Sequence, residues 1–470
     1  MPSCCAVPGD SYDLVILGGG SGAFAAASRA AGLGATVAVV ERGVIGGTCL
    51  NVGCVPSKFL IAAARTRHHA AHHSFAGVHT TAGPVDAAAL FAQKASMLDH
   101  FRKEKYLDLV AASDGLTYIE GEARLLSPSA VAVGDRTLHA DRVILATGSR
   151  PVPPPIPGLD TIPWLDSTGA LAVGVIPEHL VVIGAGYVGL ELAQSFARLG
   201  ARVTVLETLD RIAPGEEPEV AAALREALAE EGLAIHTGVR LLRVGGTADA
   251  IEVYAAGASW TGSHLLVATG RRPNTEGLGL ADVGVRTDGR GAIVVDDELR
   301  TSVAGIWAIG DCNDRVPLVT TAAHEGAVAA DNAIGEAHRR VADEVVPHAI
   351  FTDPEIGSAG LTEAAALAQG LRVRTTVMPM AKVPKAAILG ETEGVVKVVA
   401  EEGSGRLLGV HVCGAGAADM IQVAVIAIRQ RLTAAELGGM IFVYPTLTEA
   451  LKMTCQSFDK DVAKMSCCAE

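Results

Sequence analysis

One pattern occurs twice in this chain: a short apolar run, a glycine-rich turn, a helix and a second apolar run that ends on glutamate. The first copy has a predicted strand at 12–17, GGGSGA at positions 18–23 and a second apolar run that ends before Glu41. The second has a predicted strand at 179–183, GAGYVG at positions 184–189 and an apolar run that ends before Glu207. Each glutamate stands 23 residues after the first glycine of its turn. One glycine turn alone is weak evidence, but two complete units predict two Rossmann-like β–α–β folds.

The turns explain which residues would hold a nucleotide. The first glycine permits the tight turn, the second lets a pyrophosphate approach the backbone, and the terminal glutamate accepts hydrogen bonds from an adenosine ribose. Two such sites predict two dinucleotides, of which the simplest pair is FAD and a nicotinamide cofactor. The residues predicted to bind them are Gly18, Gly20, Ala23, Glu41, Gly184, Gly186, Gly189 and Glu207.

Three further strand ends fit the same scheme. The runs VILATG and HLLVATG place Thr147, Gly148 and Gly270 at the carboxyl ends of apolar strands, where ligands bind in open α/β sheets. The run GIWAIGD ends on Asp311, which we expect to hold a flavin ribitol or ribose hydroxyl. Between the runs VILATG and HLLVATG, the proline-rich segment 150–157 predicts an extended domain linker.

A pair of cysteines predicts the redox centre. The segment GGTCLNVGCVPSK at 46–58 begins five residues after Glu41 and contains Cys49 and Cys54, with Gly47 and Thr48 directed at the cofactor. The segment is rich in glycine and adjoins a predicted nucleotide site, so two inert buried thiols are a poor explanation. We expect a disulfide that exchanges electrons with a flavin, in which the thiolate is the reactive form.

Composition excludes several classes of protein. The net charge of −14 argues against a nucleic-acid partner, which requires basic patches. The apolar runs fall short of the roughly 18 residues that a membrane span needs, and the first dozen residues lack the features of a secretory signal. These features predict a cytoplasmic protein without a membrane segment, in which nine cysteines indicate catalytic or metal-binding use.

Taken in order, these motifs resemble those of the pyridine nucleotide-disulfide oxidoreductases from about residue 12 to the C-terminus. The resemblance implies that Cys54 is the thiolate against the flavin, that Cys49 is the interchange thiol, and that Lys58 and Glu191 form an ion pair beside flavin N5. It also implies a homodimer whose active sites take residues from both subunits.

The implied fold is α/β, with two Rossmann-like dinucleotide-binding domains and an α+β C-terminal dimerisation domain. The boundaries we expect are 1–150 for the first FAD-binding part, 151–270 for the NAD(P)-binding domain, 271–345 for the central FAD part and 346–470 for dimerisation.

The C-terminal region separates this chain from the disulfide-reducing members. Those members carry a histidine in a pattern like HxHPTxxE, which serves as general acid–base, whereas this chain has Tyr444 in FVYPTLTE. A phenol with an ordinary pKa near 10 is a poor proton shuttle at neutral pH. The adjacent pair Cys467 and Cys468 is too close for an unstrained disulfide, which favours the dithiol and binding of a soft metal.

This ending, in Ser-Cys-Cys-Ala, is similar to that of mercuric reductases, as is Tyr187 in the second glycine turn. The resemblance implies that NAD(P)H reduces the flavin, which opens the Cys49–Cys54 disulfide. Thiol-bound Hg²⁺ would then pass from Cys467 and Cys468 of one subunit to the cysteine pair of the other and leave as elemental mercury. Tyr187 and Tyr444 would line the transfer site. The N-terminal metal-binding domain of many mercuric reductases is not expected here, and Cys4–Cys5 is either a rudimentary metal collector or a tail without function.

Several alternatives stay open from the sequence. Glu207 favours NADH, whereas the resemblance favours NADPH, and Arg202 and Arg211 could rescue binding of the 2′-phosphate. The run HHAAHH at 68–73 predicts a solvated helix face in preference to a metal site. Rival functions are a disulfide reductase of the high-molecular-weight thioredoxin reductase or lipoamide dehydrogenase type, and a mercury sequestrant without turnover.

Overall fold

The fold was analysed in a computed structural model, which describes residues 10–335, 337–341 and 345–460. The pairs Cys4–Cys5 and Cys467–Cys468 lie outside the described residues. Within the described ranges, parallel sheets flanked by helices alternate with antiparallel sheets. This arrangement confirms the α/β class with two Rossmann-like domains and an α+β C-terminal domain.

The strands of the described residues are numbered in chain order. They are β1 (Ser11–Tyr12), β2 (Leu14–Leu17), β3 (Val37–Glu41), β4 (Leu116–Glu120), β5 (Ala123–Ser127), β6 (Ala130–Val133), β7 (Arg136–Ala140), β8 (Val143–Leu145), β9 (Ser149–Pro151), β10 (His179–Ile183), β11 (Arg202–Leu206), β12 (Ala234–His236), β13 (Leu241–Thr247), β14 (Ala250–Ala255), β15 (Ala258–Gly262), β16 (His264–Val267), β17 (Arg271–Pro273), β18 (Ile306–Ala308), β19 (His348–Ile350), β20 (Glu355–Gly360), β21 (Val373–Pro379), β22 (Val395–Glu401) and β23 (Leu407–Gly414).

The α-helices are numbered in the same way, and short 3₁₀ turns and one π-helical turn are left unnumbered. They are α1 (Ser21–Gly32), α2 (Gly47–Val52), α3 (Cys54–Ala71), α4 (Ala87–Arg102), α5 (Asp108–Ala112), α6 (Ser167–Ala172), α7 (Tyr187–Leu199), α8 (Pro218–Glu230), α9 (Leu280–Val283), α10 (Val319–Ile334), α11 (Glu363–Ala368), α12 (Pro384–Leu389), α13 (Ala417–Arg429), α14 (Ala434–Gly438) and α15 (Glu449–Gln456).

The chain divides into two compact units, and the first holds the first glycine turn and both cysteines of the redox segment. It contains the described residues of Met1–Pro56, Ala89–Val152 and Gly270–Ala342. Its main sheet is parallel, in the order β18-β8-β2-β3-β4, and β2 and β8 are buried throughout. Because parallel strands end at one edge, the residues that follow β2, β3, β8 and β18 lie at a common edge of this sheet.

The second unit holds the other glycine turn and the C-terminal region. It contains the described residues of Ser57–Ala88, Pro153–Thr269 and Asp343–Glu470. Its parallel sheet has the order β12-β11-β10-β16. A separate antiparallel sheet, in the order β19-β20-β23-β22-β21, packs against α13 and α15 through a core of small and branched apolar side chains.

The first strand and the helix of the histidine run have boundaries that differ from the sequence prediction. The predicted strand 12–17 is interrupted at Asp13, because its carboxylate accepts hydrogen bonds from the backbone amide and hydroxyl of Thr36, at 2.7 and 2.8 Å. The helix predicted for the histidine run ends at Ala71, so that His72 and His73 lie beyond it. The prediction of one continuous helix was wrong for those two residues.

One stretch within the described residues, Gly47–Ala71, is long and apolar enough to span a membrane by length and composition alone. It consists of α2 and α3 and contains the redox segment, and such a single helix is weak evidence for a membrane span.

Candidate active site

The first glycine turn is shaped by two close backbone contacts. Gly18 has φ of 112°, and a Cβ atom there would lie 2.2 Å from the carbonyl oxygen of Ala146, so a side chain is excluded. A Cβ on Gly47, whose φ is 63°, would lie 2.5 Å from the Cα of Gly20. The backbone of the redox segment therefore lies directly against the glycine turn.

The carboxylate of Glu41 holds this turn in place. Its Oε2 accepts a 2.7 Å hydrogen bond from the amide of Gly19, and its Oε1 accepts one of 2.7 Å from Gly43. The amide of Gly46 in turn donates to the carbonyl of Gly19 at 2.9 Å. We refer to this set of bonds around Glu41 as the first acid clasp.

This site fits the dinucleotide that the turn predicts. Helix α1 begins after Gly20, and among the described residues no side chain caps its N-terminus. Its first amides are therefore available to a pyrophosphate. A Cβ atom on Gly20 would meet no atom closer than the Cα of Gly47, at 3.7 Å, so the space beside the turn is open.

The two cysteines occupy different helices. Cys49 is the third residue of the short helix α2, and Cys54 is the first residue of the 18-residue helix α3. Both are partly buried. The N-terminal end of a helix carries a partial positive charge, so the start of α3 favours a thiolate at Cys54.

The conformation of the redox segment depends on Asn51, to which sequence reasoning gave no role. Its Nδ2 donates to the carbonyls of Val44, Ile45 and Gly47 at 3.0–3.1 Å. Its Oδ1 accepts two hydrogen bonds from the guanidinium of Arg102, at 3.0 and 3.1 Å. The asparagine stands inside the recognised motif, but Arg102 lies on α4 and has no sequence signal of its own.

Tyr106 is a second residue that the sequence did not identify. Its ring packs edge-on against Phe24 at 4.7 Å between centroids. Burial raises the pKa of Tyr106, a hydrogen bond with Ser21 opposes this, and the nearby sulfur of Cys49 raises it further. The phenol therefore stays protonated close to Cys49.

Two strand ends bring the remaining predicted flavin residues together. Asp311 accepts a 2.6 Å hydrogen bond from the hydroxyl of Ser149, which in turn accepts one of 2.8 Å from Nε of Arg271. Thr147 donates through Oγ1 to the carbonyl of Asn274 at 2.6 Å. Ser149 lies on β9 and Arg271 on β17, and these strands pair antiparallel with Arg271 opposite Pro151. The prediction of a plain extended linker at 150–157 missed this pairing.

The second glycine turn repeats the first in the other unit. Gly184 has φ of 103°, and a Cβ atom there would lie 2.5 Å from the carbonyl oxygen of Ala268. A Cβ on Gly189 would lie 2.0 Å from the carbonyl of Gly184, whereas Gly186 faces open space. Tyr187 begins α7 and is 49 % exposed at this turn.

Glu207 forms a second acid clasp. Its Oε2 accepts a 2.7 Å hydrogen bond from the amide of Ala185, and its Oε1 accepts one of 2.9 Å from Leu209. The amide of Ala213 donates to the carbonyl of Ala185 at 2.8 Å. The glutamate is 8 % exposed, and these hydrogen bonds hold its carboxylate at the end of β11.

Lys58 and Glu191 lie together in the second unit. Lys58 Nζ is 2.7 Å from Glu191 Oε2, and Glu191 Oε1 accepts a 2.9 Å hydrogen bond from the amide of Phe351. The ammonium also lies over the Phe351 ring at 4.5 Å from its centroid. Glu191 is buried, whereas about a third of the Lys58 side chain is exposed.

Tyr444 lies in an exposed apolar segment. It is 50 % exposed and precedes a cis peptide bond to Pro445, and neighbouring Ile441 and Val443 are 97 % and 77 % exposed. Glu449, the last residue of the FVYPTLTE run, accepts a hydrogen bond from the amide of Thr446 at 3.3 Å.

The other predicted groups stand apart from this chemistry. Burial raises the pKa of Cys312, Cys413 and Cys455 to about 12, so these three thiols belong to the core. The four histidines of the HHAAHH run line a cavity of about 500 Å³. Within the described ranges no group of three or more metal-binding side chains comes together.

Comparison with known proteins defines the class. Residues 12–326 match the pyridine nucleotide-disulphide oxidoreductase family, and residues 346–455 match the dimerisation domain of that family. The chain therefore belongs to the pyridine nucleotide-disulphide oxidoreductases, which are flavoproteins that use FAD and NAD(P)H.

Two relatives narrow the class of protein further. The chain is 44 % identical to a mercuric reductase of Streptomyces lividans, over 97 % of this chain and 98 % of that protein. It is 41 % identical to a mercuric reductase of Bacillus cereus, over 97 % of this chain and 73 % of that protein.

Solved structures give the same fold. The HOCl-induced flavoprotein disulfide reductase RclA of Escherichia coli, as a Cu(II) complex, superimposes with a TM-score of 0.87 at 28 % identity, covering 96 % of this chain and 100 % of that one. LpdA of Mycobacterium tuberculosis gives a TM-score of 0.85 at 28 % identity, covering 95 % and 99 %.

Proposed function

We propose that this protein is a homodimeric mercury(II) reductase that takes its electrons from a pyridine nucleotide. The observation that carries this proposal is Tyr444, which stands where disulfide-reducing members have a histidine, in a chain that retains Cys49 and Cys54. A disulfide substrate needs that histidine to move a proton to its leaving thiolate. Mercuric ion needs no such proton on the metal itself, and the full-length similarity to mercuric reductases supports the same conclusion.

The overall reaction balances with one nucleotide and one thiol-bound ion. NAD(P)H, one proton and Hg(SR)₂ give NAD(P)⁺, elemental mercury and two RSH, because the hydride supplies the two electrons that Hg(II) accepts. FAD, when bound, relays this electron pair from the nicotinamide to the metal site.

Cys49 and Cys54 receive the metal in this proposal. Thiolates are the preferred ligands of soft cations, and the start of α3 stabilises the negative charge on Cys54. Asn51 fixes the segment between the two cysteines, and it therefore acts as a positioning residue. Because burial raises the pKa of Tyr106, its phenol stays neutral and adds no negative charge near Cys49.

Lys58 and Glu191 serve the nucleotide side of the reaction. The buried carboxylate of Glu191 is fixed by the amide of Phe351 and holds the Lys58 ammonium at 2.7 Å. We propose that Lys58 would hold bound FAD at the N5 edge of its ring, where a fixed positive charge would favour the reduced flavin.

Tyr187 and Tyr444 line the transfer site in this proposal, and Cys467 and Cys468 deliver the metal to it. Half of each tyrosine is exposed, which suits residues that meet an incoming metal complex. The dimerisation domain supports a contribution from the partner subunit. A thiol complex is the form of Hg²⁺ that the Cys467–Cys468 dithiol could exchange. We propose a cytoplasmic enzyme without membrane or nucleic-acid partners.

The test is oxidation of NADH and NADPH by the FAD-loaded protein with mercuric chloride and excess thiol, with release of mercury vapour measured in parallel. We expect both signals, and we expect Cys49→Ser to abolish them. Cys413→Ala is the matched control, since its thiol is fully buried on β23 and should not affect turnover.

Three outcomes would decide against the proposal. Oxidation of the nucleotide by a disulfide substrate, without mercury vapour, would indicate a disulfide reductase. Binding of mercury without nucleotide oxidation would indicate a sequestrant. Undiminished turnover of thiol-bound mercury in a Cys467→Ala/Cys468→Ala double variant would refute delivery by the tail.

A further inference from the structure

We propose that the electron donor is NADH and that Glu207 excludes NADPH. This inference deepens the proposed function, because it names the donor that feeds the mercury reaction. It rests on the acid clasp at the end of β11 and on the position of the nearby arginines.

The two acid clasps of this chain are copies of one another. In each, Oε2 of the glutamate accepts a 2.7 Å bond from the second residue of the glycine turn, Gly19 or Ala185. In each, Oε1 accepts a bond from the amide two residues after the glutamate. The duplicated geometry predicts that both carboxylates meet the same part of a nucleotide.

The first clasp provides an internal reference for the second. FAD has an adenosine ribose with a free 2′-hydroxyl, which a carboxylate acceptor suits. A clasp with the same bonds in the second unit therefore also fits a free 2′-hydroxyl. NADPH carries at this position a phosphate of about −1.5 to −2 charge at neutral pH, which the fixed charge of Glu207 repels.

Binding of a 2′-phosphate would require a cation close to Glu207. Arg202, one of the two arginines considered for this role, lies too far away. Arg202 is the first residue of β11 and pairs in register with His179. Four residues of strand, at about 3.3 Å each, put its Cα about 13 Å from that of Leu206, at the opposite end of the strand. Arg202 therefore cannot reach the ribose side of the sheet edge.

The other candidate, Arg211, is engaged within its own loop. Its Nη2 donates to the carbonyls of Pro214 and Glu216, at 2.7 and 3.2 Å. Asp210, which lies between Glu207 and Arg211 in the chain, adds a second carboxylate close to Glu207 in sequence. The segment that follows β11 is thus more suited to a diol than to a phosphate.

The test measures binding to the FAD-loaded enzyme by calorimetry, with NAD⁺ against NADP⁺ and 5′-AMP against adenosine 2′,5′-bisphosphate. We expect the non-phosphorylated member of each pair to bind at least roughly ten-fold more tightly, because like charges oppose the other member. Glu207→Gln keeps an acceptor but removes the charge, and it should bring each ratio to within about three-fold. Glu226→Gln, which removes an exposed carboxylate on α8, is the matched control and should leave the ratios nearly unchanged.

Equal or tighter binding of the phosphorylated ligands by the unaltered enzyme would overturn the inference, as would a Glu207→Gln variant that keeps the full ratio. If that variant does not fold, the two ligand pairs on the unaltered enzyme decide the question alone. Mercury turnover with NADPH but not NADH would refute the donor and leave the proposed function standing. Selective binding of NAD⁺ without mercury turnover would do the reverse.

Discussion

Lys397 offers a prediction whose size follows from its contacts. The residue is 1 % exposed on β22, and its Nζ lies 3.0 Å from Glu217, 2.9 Å from Glu219 and 2.7 Å from Glu363. The Glu217 side chain is 2 % exposed, whereas Glu219 and Glu363 keep 43 % and 36 % of theirs. Replacement by methionine keeps most of the volume but leaves Glu217 as a buried carboxylate without its cation.

The cost of that variant is limited by protonation of Glu217. Breaking a buried ion pair costs about 3–5 kcal/mol, and the two partly exposed pairs add little. Protonating a carboxyl whose ordinary pKa is near 4.3 costs about 1.4 kcal/mol for each pH unit above that pKa. The loss of stability is therefore limited to about 4 kcal/mol at pH 7 and about 1 kcal/mol at pH 5. The free energy of unfolding should therefore fall much more at pH 7 than at pH 5.

The assay is urea unfolding of the FAD-loaded Lys397→Met variant and of the unaltered protein at both pH values. The Lys397→Met/Glu217→Gln double variant is the control, and it should recover much of the loss at pH 7 because the buried charge is gone. A loss of equal size at pH 5 and pH 7 would refute the reasoning, since it would show that the buried charge does not set the cost.

Three further predictions concern the site and its surroundings. Asn51→Ala should lower mercury turnover at least about ten-fold while FAD content stays unchanged, because small misplacements of reacting groups are costly, and turnover per bound flavin checks this. The hydrogen bond with Glu216 raises the pKa of His348, although burial lowers it. The stability that protonated His348 gives the folded protein is therefore complete below about pH 6.5 and is lost as pH rises through the raised pKa. The unfolding temperature of the unaltered protein should fall over that range, and His348→Asn should flatten the profile. Tyr444→Phe should lower kcat/KM for thiol-bound mercury but not nucleotide-driven reduction of ferricyanide, and equal effects on both would contradict a role in metal transfer.

Much of the fold could be predicted because the pattern and its chemistry agree. The buried strand 179–183 was predicted with its observed bounds, since the apolar run LVVI follows two polar residues and ends at the glycine turn. The break at Asp13 was missed because a side chain that bonds to Thr36, 23 residues away, competes with the strand. Periodicity within one segment carries no information about such a partner.

The site could be predicted only where a motif contains the residue. Cys49, Cys54 and Lys58 stand in one recognisable segment, and Glu191 follows a glycine turn. Arg102 lies 51 residues after Asn51, on a helix whose sequence is unremarkable. Its role exists only because the fold brings α4 to the redox segment, so no local pattern could have revealed it.

The two nucleotide units differ in the segment that follows the acid clasp. Both clasps continue with the same bond, from Gly46 to the carbonyl of Gly19 and from Ala213 to the carbonyl of Ala185. After Gly46 the chain enters α2, and the next residues carry the cysteines. After Ala213 it reaches Glu216 and Glu217, which bond to Ser358 and Lys397 of the C-terminal sheet. The segment after the acid clasp therefore carries the redox cysteines in the first unit. In the second unit the corresponding segment bonds to the antiparallel sheet of the dimerisation domain.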